Sequence, residues 1–239
     1  MKTQSILSIL LLVAGISSAC EQLGTYPIEI PDVVTQLNVT ADAADLSIIA
    51  AGNGPGFVEV SLDEQGKPSD ISIEQNGNSI TVVCGSRCGE TITIAVPTNA
   101  EINAAVVLGD IHISDIRGGI NASVKTGDIF IERVFGVIQA ESETGNVIGQ
   151  DVSSAYIAAA TGSGDINLML QSMPSAMDLQ AGIGNVEVEI PKGAYDIATD
   201  KRASASILQG IVNDPTSSSA VHAESGVGHV RIIGQTTTR

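Results

Sequence analysis

The chain has 239 residues, with 27 acidic against 11 basic side chains and a formal charge of −16. That balance argues against nucleic acid and anionic surfaces as partners, because neutralising phosphates takes clustered Lys and Arg. With 43% apolar and only 16% charged residues the chain is not disordered. Its three Tyr, three Phe and no Trp leave a core to be built from Val, Ile, Leu and Ala.

Residues 1–19 read as an export signal. Lys2 supplies the positive start, and the apolar run Ile6–Ile16 is too short for a span, which needs about 20 residues. Small residues Ser17-Ser18-Ala19 precede Cys20, so signal peptidase could cut after Ala19. The stretch Ile16–Cys20 also resembles a bacterial lipobox, with Ser17 in place of its usual Leu. That resemblance implies lipid on Cys20 and a chain held in the membrane through it. Plain secretion or a soluble periplasmic protein is the alternative. Residues 20–35 then form an N-terminal tether.

Residues 36–100 are expected to form an antiparallel N-terminal β-sheet region. Short alternating runs predict strands at Gln36–Ala41, Leu46–Ala50, Phe57–Leu62, Asp70–Gln75, Ser79–Cys84 and Thr91–Val96. Asn76-Gly77 marks a hairpin, since both residues tolerate positive φ. If Cys20 carries lipid, Cys84 and Cys88 remain, and in an oxidising compartment a structural disulfide across a tight turn is expected. Three intervening residues do not make a redox motif, and zinc would need four ligands.

Residues 101–234 carry an internal repeat, followed by a tail at 235–239. One pattern is apolar-x-Ala, at Ile102, Ile120, Ile138, Ile157, Leu179 and Val221. The other is Gly, a polar residue and alternating apolars, at Gly109, Gly127, Gly145, Gly164, Gly184 and Gly228. A degenerate unit near Ile197 has no such glycine. A third column, Ile116, Val134 and Val152, recurs every 18 residues. Each unit alone cannot bury its inward residues, so the units must stack. The spacing predicts an all-β, single-stranded β-solenoid of about seven coils, rising about 4.8 Å per coil, with the six glycines at repeat corners. Outward Asn103, Asn121 and Gln139 are expected to form an amide ladder.

The run from Thr91 to Ile131, with Thr126-Gly127-Asp128-Ile129 and Thr144-Gly145-Asn146-Val147, resembles the bacterial putative-adhesin family of cell-envelope proteins. The resemblance spans about Leu37 to Ile233. It implies repeated β-coils behind an N-terminal sheet-forming part in a cell-envelope protein; by resemblance to known lipoprotein sorting, Glu21 after Cys20 leaves placement at the outer membrane or cell surface open.

Candidate chemistry is sparse. Asp110, Asp128, Asn146, Asp165, Asn185 and His229 share one corner position. Asp110, Asp128 and Asp165 could offer oxygens to Ca²⁺; turn chemistry, with side chains bonded to nearby backbone, is the simpler account. His112, His222 and His229 read as surface residues. No catalytic residue and no cofactor is expected. The leading function is a non-catalytic envelope lipoprotein whose surface serves adhesion, partner docking or scaffolding, with an envelope protein, surface protein or glycan as partner. An envelope-stress sensor or ligand-binding module is a second possibility. A polysaccharide-active β-helix enzyme is a third, though it lacks sugar-stacking rings.

Overall fold

In a computed structural model of the chain, residues 28–30, 34–52, 56–61, 71–86, 91–199, 204–208 and 210–235 are described. The expected leader, Cys20 and Cys88 lie outside them. Every regular element among the described residues is a strand.

The repeat supplies the central strands in pairs. They are β8 (Glu101–Leu108) and β9 (Ile111–Ser114), β10 (Ile120–Thr126) and β11 (Ile129–Glu132), and β12 (Ile138–Thr144) and β13 (Val147–Val152). Next come β14 (Tyr156–Ser163) and β15 (Ile166–Leu170), then β16 (Ala176–Ile183) and β17 (Val186–Pro191). The first member of each pair joins one sheet and the second joins another, so one pair makes one rung. Like columns meet: Ile120 pairs with Ile102 and Ile138, and Ile129 with Ile111 and Val147. All these pairings are parallel.

Period-two alternation decides what goes inside. In β10, Ile120, Ala122 and Val124 are buried while Asn121, Ser123 and Lys125 are exposed. Ile111, Ile113, Ile129 and Ile131 bury the inner face of the opposite sheet. The third column closes the remaining side through Ile116, Val134, Val152 and Leu170. Burying each such side chain is worth about 1.5–3 kcal/mol.

Ahead of this stack lie β1 (Ile28–Ile30), β2 (Gln36–Ala43), β3 (Asp45–Ala50), β4 (Gly56–Ser61), β5 (Ile71–Asn76), β6 (Ser79–Cys84) and β7 (Thr91–Val96). Here the expectation of an antiparallel region needs correction. β2 pairs in parallel with both β6 and β8, and β3 with both β7 and β9. Among the described strands, only β1 with β4, β4 with β7, and β5 with β6 run antiparallel. Alternation reports which face a side chain takes, and is the same for either strand direction, so it could not separate the two. The β5–β6 hairpin turns at Gly77, whose φ is +62°.

Behind the stack lie β18 (Gly193–Thr199), β19 (Ser204–Leu208), β20 (Ile211–Asn213), β21 (Ala220–Val227) and β22 (His229–Gln235). Two details depart from the sequence reading. First, Ile157 pairs with Met177, and Ala159 with Leu179. The unit assigned to Leu179 therefore begins two residues earlier, at Met177, and its offset to Gly184 becomes the same seven as its neighbours'. Second, β21 stacks directly on β16, and the degenerate unit of Ile197 lies outside it on β21.

The ends thus share a device. At the front, β2 and β3 sit between the β6/β7 pair and β8/β9; at the back, β21 and β22 sit between β16/β17 and β18/β19. The first and last rungs in sequence are inner rungs in space. Tyr195, fully buried, plugs the core at the back end and donates its hydroxyl to the Pro191 carbonyl at 2.7 Å. Burial raises its pKa.

Candidate functional site

Gly109, Gly127, Gly145, Gly164, Gly184 and Gly228 all stand at one corner, with φ between +134° and +154°. A methyl on Gly127 would run into the Gly109 carbonyl oxygen of the rung before. Successive backbones come too close at this corner for a side chain, and the conformation itself favours glycine.

The acidic and amide side chains after these glycines form a continuous chain of hydrogen bonds. The Oδ1 of Asp45 accepts from the Asp110 amide N–H at 2.9 Å, and that of Asp110 from Asp128 at 2.7 Å. Asp128 accepts from Asn146 at 2.6 Å, Asn146 from Asp165 at 2.8 Å, Asp165 from Asn185 at 2.7 Å, and Asn185 from His229 at 3.2 Å. Each carboxylate thus faces a backbone N–H of the next rung. The bonds run between rungs and not back to the residue's own turn, as turn chemistry would have had it. Asp45 was not among the sequence candidates: Ala44 holds the glycine position in its rung. The signal was Asp45-Leu46-Ser47-Ile48, which follows the pattern of Asp110-Ile111-His112-Ile113.

Asp110, Asp128 and Asp165 therefore spend one oxygen each on this ladder. Among the described residues, no three His, Cys, Asp or Glu side chains converge to hold a metal ion. Asp128→Ala should leave the Asn146 N–H without its acceptor and cost about 1 kcal/mol, whereas Asp128→Asn should cost less. Urea unfolding of the two variants measures the difference.

A second polar column lies at the opposite corner. Asp115, Arg133 and Asp151 have positive φ of 61°, 50° and 53°. Arg133 donates to both carboxylate oxygens of Asp115, at 2.6 and 2.8 Å, and also pairs with Glu132. The hydrogen bond from Arg133 holds the Asp115 carboxyl below its usual range, against a desolvation that raises it. Gln171 donates to Asp151 at 2.7 Å. Next to this column, Arg117 lies 4.9 Å from the centre of the Phe135 ring.

The expected amide ladder is displaced by one rung. Asn103 donates to Asn38 at 3.1 Å, and Asn38 to Ser79 at 3.0 Å, while Asn121 and Gln139 stand exposed. Of the histidines, His112 stacks on Phe130 with centroids 6.1 Å apart. His229 is exposed and ends the corner ladder.

His222 lies 3.0 Å from Asp178 of the neighbouring rung and 2.8 Å from Glu224 on its own strand. Burial alone lowers its pKa, but the hydrogen bonds and charges of Asp178 and Glu224 outweigh this and raise it. A raised folded pKa stabilises the protein fully below the unfolded value of about 6.5, and the gain is lost as pH rises through the folded pKa. The ring is 41% exposed, so the effect is small. Thermal melts should show a slight fall in Tm from pH 6 to 8, and His222→Gln should flatten it.

Cys84 is buried on β6 and disulfide-bonded. The outer face of the sheet containing β10, β12, β14 and β16 has shallow, open depressions. One of about 260 Å³ lies over Asn121, Gln139, Ala158, Ala160 and Asp178.

The fold and its corner ladders define an all-β protein of stacked parallel rungs. No family model matches the chain, and no curated protein matches it. Among solved structures, a putative adhesin from Bacteroides fragilis aligns with a TM-score of 0.59 and 15% identity, over 90% of this chain and 98% of that one. A putative adhesin from Parabacteroides distasonis gives 0.48 and 14%, over 90% and 97%. A putative lipid binding protein from the same organism gives 0.48 and 13%, over 88% and 93%. The chain shares the fold of the Bacteroides fragilis putative adhesin.

Proposed function

We propose that this chain is a non-catalytic protein of the bacterial cell envelope, a β-solenoid whose outer faces serve adhesion or partner docking. The observation that carries this reading is the corner ladder. The acidic side chains that follow the repeat glycines are engaged in holding rungs together, which leaves recognition to the outer faces. The likeness of fold to a putative adhesin supports the same reading.

The leader and Cys20 extend it. Lipid on Cys20 would place the rungs at the membrane surface, at the outer membrane or cell surface, and Cys88 would complete the disulfide of Cys84. Cells fed labelled fatty acid should label the protein, and Cys20→Ser should abolish the label; label persisting in that variant would refute the anchor.

Purified protein on beads should retain envelope fragments, less so as salt rises. The same protein should turn over no envelope polysaccharide, peptide or phosphoester, with or without Ca²⁺. Turnover that disappears on replacing one carboxylate would overturn the reading.

A further inference from the structure

The connections from β9 to β10, β11 to β12, β13 to β14 and β15 to β16 form the third side of the stack. Their inward residues Ile116, Val134 and Val152 serve the core. Their outward residues do not. Phe135, Val137, Tyr156 and Met173 are 46%, 47%, 53% and 47% exposed. Arg117, also exposed, lies across the Phe135 ring. Aromatic rings, Met and Arg are the side chains that interface cores favour. The charges on this side balance, Asp115 and Asp151 against Arg117 and Arg133, in a chain whose formal charge is −16. The sheet faces, by contrast, carry Glu141, Glu143 and Asp178 on one and Glu187 and Glu189 on the other. Two copies of so acidic a chain can therefore meet on the third side without the repulsion that their sheet faces would bring.

The third side is also complementary to itself when its order is reversed. Neighbouring positions follow from the backbone. The Phe135 N–H bonds the Ile116 carbonyl and the Ser153 N–H the Val134 carbonyl, which puts Arg117, Phe135 and Ser153 in one column. Val137 and Tyr156 each precede one of the paired residues Ile138 and Ile157. A two-fold axis between the β11–β12 and β13–β14 connections sets each of these against the other in a second copy. Arg133 then faces Asp151 of the second copy, Val137 faces its Tyr156, and Phe135 faces its small Ser153. The β15–β16 connection, with Met173, comes over Gly119. Each contact occurs twice. Copies in the same direction would instead set Arg117 on Arg117, and an axis through the β11–β12 connection would set Arg133 on Arg133.

Reversal has a consequence for the chain ends. The chain enters its sheet at β1, the outermost strand, and β11 and β13 lie near the middle of the same strand order. Two reversed stacks overlap along their length, with their β1 ends at opposite ends of the pair. That arrangement suits chains held on two facing surfaces.

We propose that the third side is a self-docking surface, through which two copies of this chain pair in reversed orientation and link facing envelopes. This names the partner in the proposed adhesion role and rests on it.

Sedimentation equilibrium of the purified chain, from micromolar to near-millimolar concentration, tests the pairing. The contact is small, so the dimer should be reversible and weak. Phe135→Glu and Tyr156→Glu should each weaken it about tenfold or more, and Val227→Glu, the same charge change at an exposed valine on the glycine corner, less than about twofold. Arg133→Glu and Asp151→Arg should each be monomeric alone and pair when mixed, because the mixture restores opposite charges at both contacts. Thermal melts check that each variant is folded. A monomeric parent, equal losses from Val227→Glu and Phe135→Glu, or a mixture that stays monomeric would overturn the proposal. Beads coated with the chain through residue 20 should clump, and beads coated with Phe135→Glu should not. A dimer in solution without clumping would overturn the link between facing surfaces. If the parent is monomeric while beads still retain envelope fragments, self-pairing falls and the docking role stands. If the parent pairs and beads retain no fragment, self-pairing stands and docking to other partners falls.

Discussion

Ile129→Asp should be among the most damaging single substitutions in the chain, lowering stability by about 3–5 kcal/mol. Ile129 is fully buried between Ile111 and Val147 in a purely aliphatic column. A carboxylate there would meet no hydrogen-bond donor and would have to protonate or open the stack. Phe130, the next residue, faces outward and is half-buried, stacked on His112 on one side with Ile148 beside it on the other. Phe130→Ser should cost about 1 kcal/mol or less. Urea unfolding of both variants decides the register: equal costs, or the larger cost at Phe130, would place the wrong face inside.

Gly118 and Gly119 give a second paired test. A methyl on Gly118 would clash with the Ala100 carbonyl oxygen, a backbone atom that cannot move aside alone. A methyl on Gly119 would find its nearest neighbour, the Val137 carbonyl oxygen, at 3.9 Å, an ordinary contact. Gly118→Ala should therefore destabilise by about 3 kcal/mol, and Gly119→Ala should stay within about 0.5 kcal/mol. Thermal unfolding of the pair is sufficient. Matching melting temperatures would mean that the rungs are not held as closely at this corner as the backbone shows.

The repeat made most of the stack legible. Ile102, Ile120 and Ile138 recur at a fixed interval because each must fall on the same column, and the glycines recur because each must pass the same neighbouring carbonyl. What the pattern could not carry was rung order. Ile197 follows Leu179 by one regular interval, yet β21 comes between them in space. A period records the length of a rung and not which rung touches which. The same limit hid the first two rungs, where Ala44 replaces the corner glycine and the neighbouring partner lies 65 residues away. The roles of the polar corners were half legible. Asp and Asn after glycine signal a turn, but an acceptor aimed at the next rung appears only once the rungs are stacked. Ala158 looks like a core residue by composition, yet the apolar-x-Ala pattern at Ile157 already turns it outward, as the structure shows.

The placement of the outermost rungs bears on how the molecule opens. A stack of repeats ordinarily peels from a free chain end, since the last unit touches a single neighbour. Here the β18/β19 rung at the back is chain-internal, joined to β17 on one side and to β21 on the other. When it detaches it becomes a closed loop with both ends still anchored. Its recapture is then a short intramolecular search at high local concentration. β22, in turn, is clamped between β17 and β19 and cannot be the first strand to leave. Hydrogen exchange should therefore be faster in β19, at the edge of its sheet, than in β22.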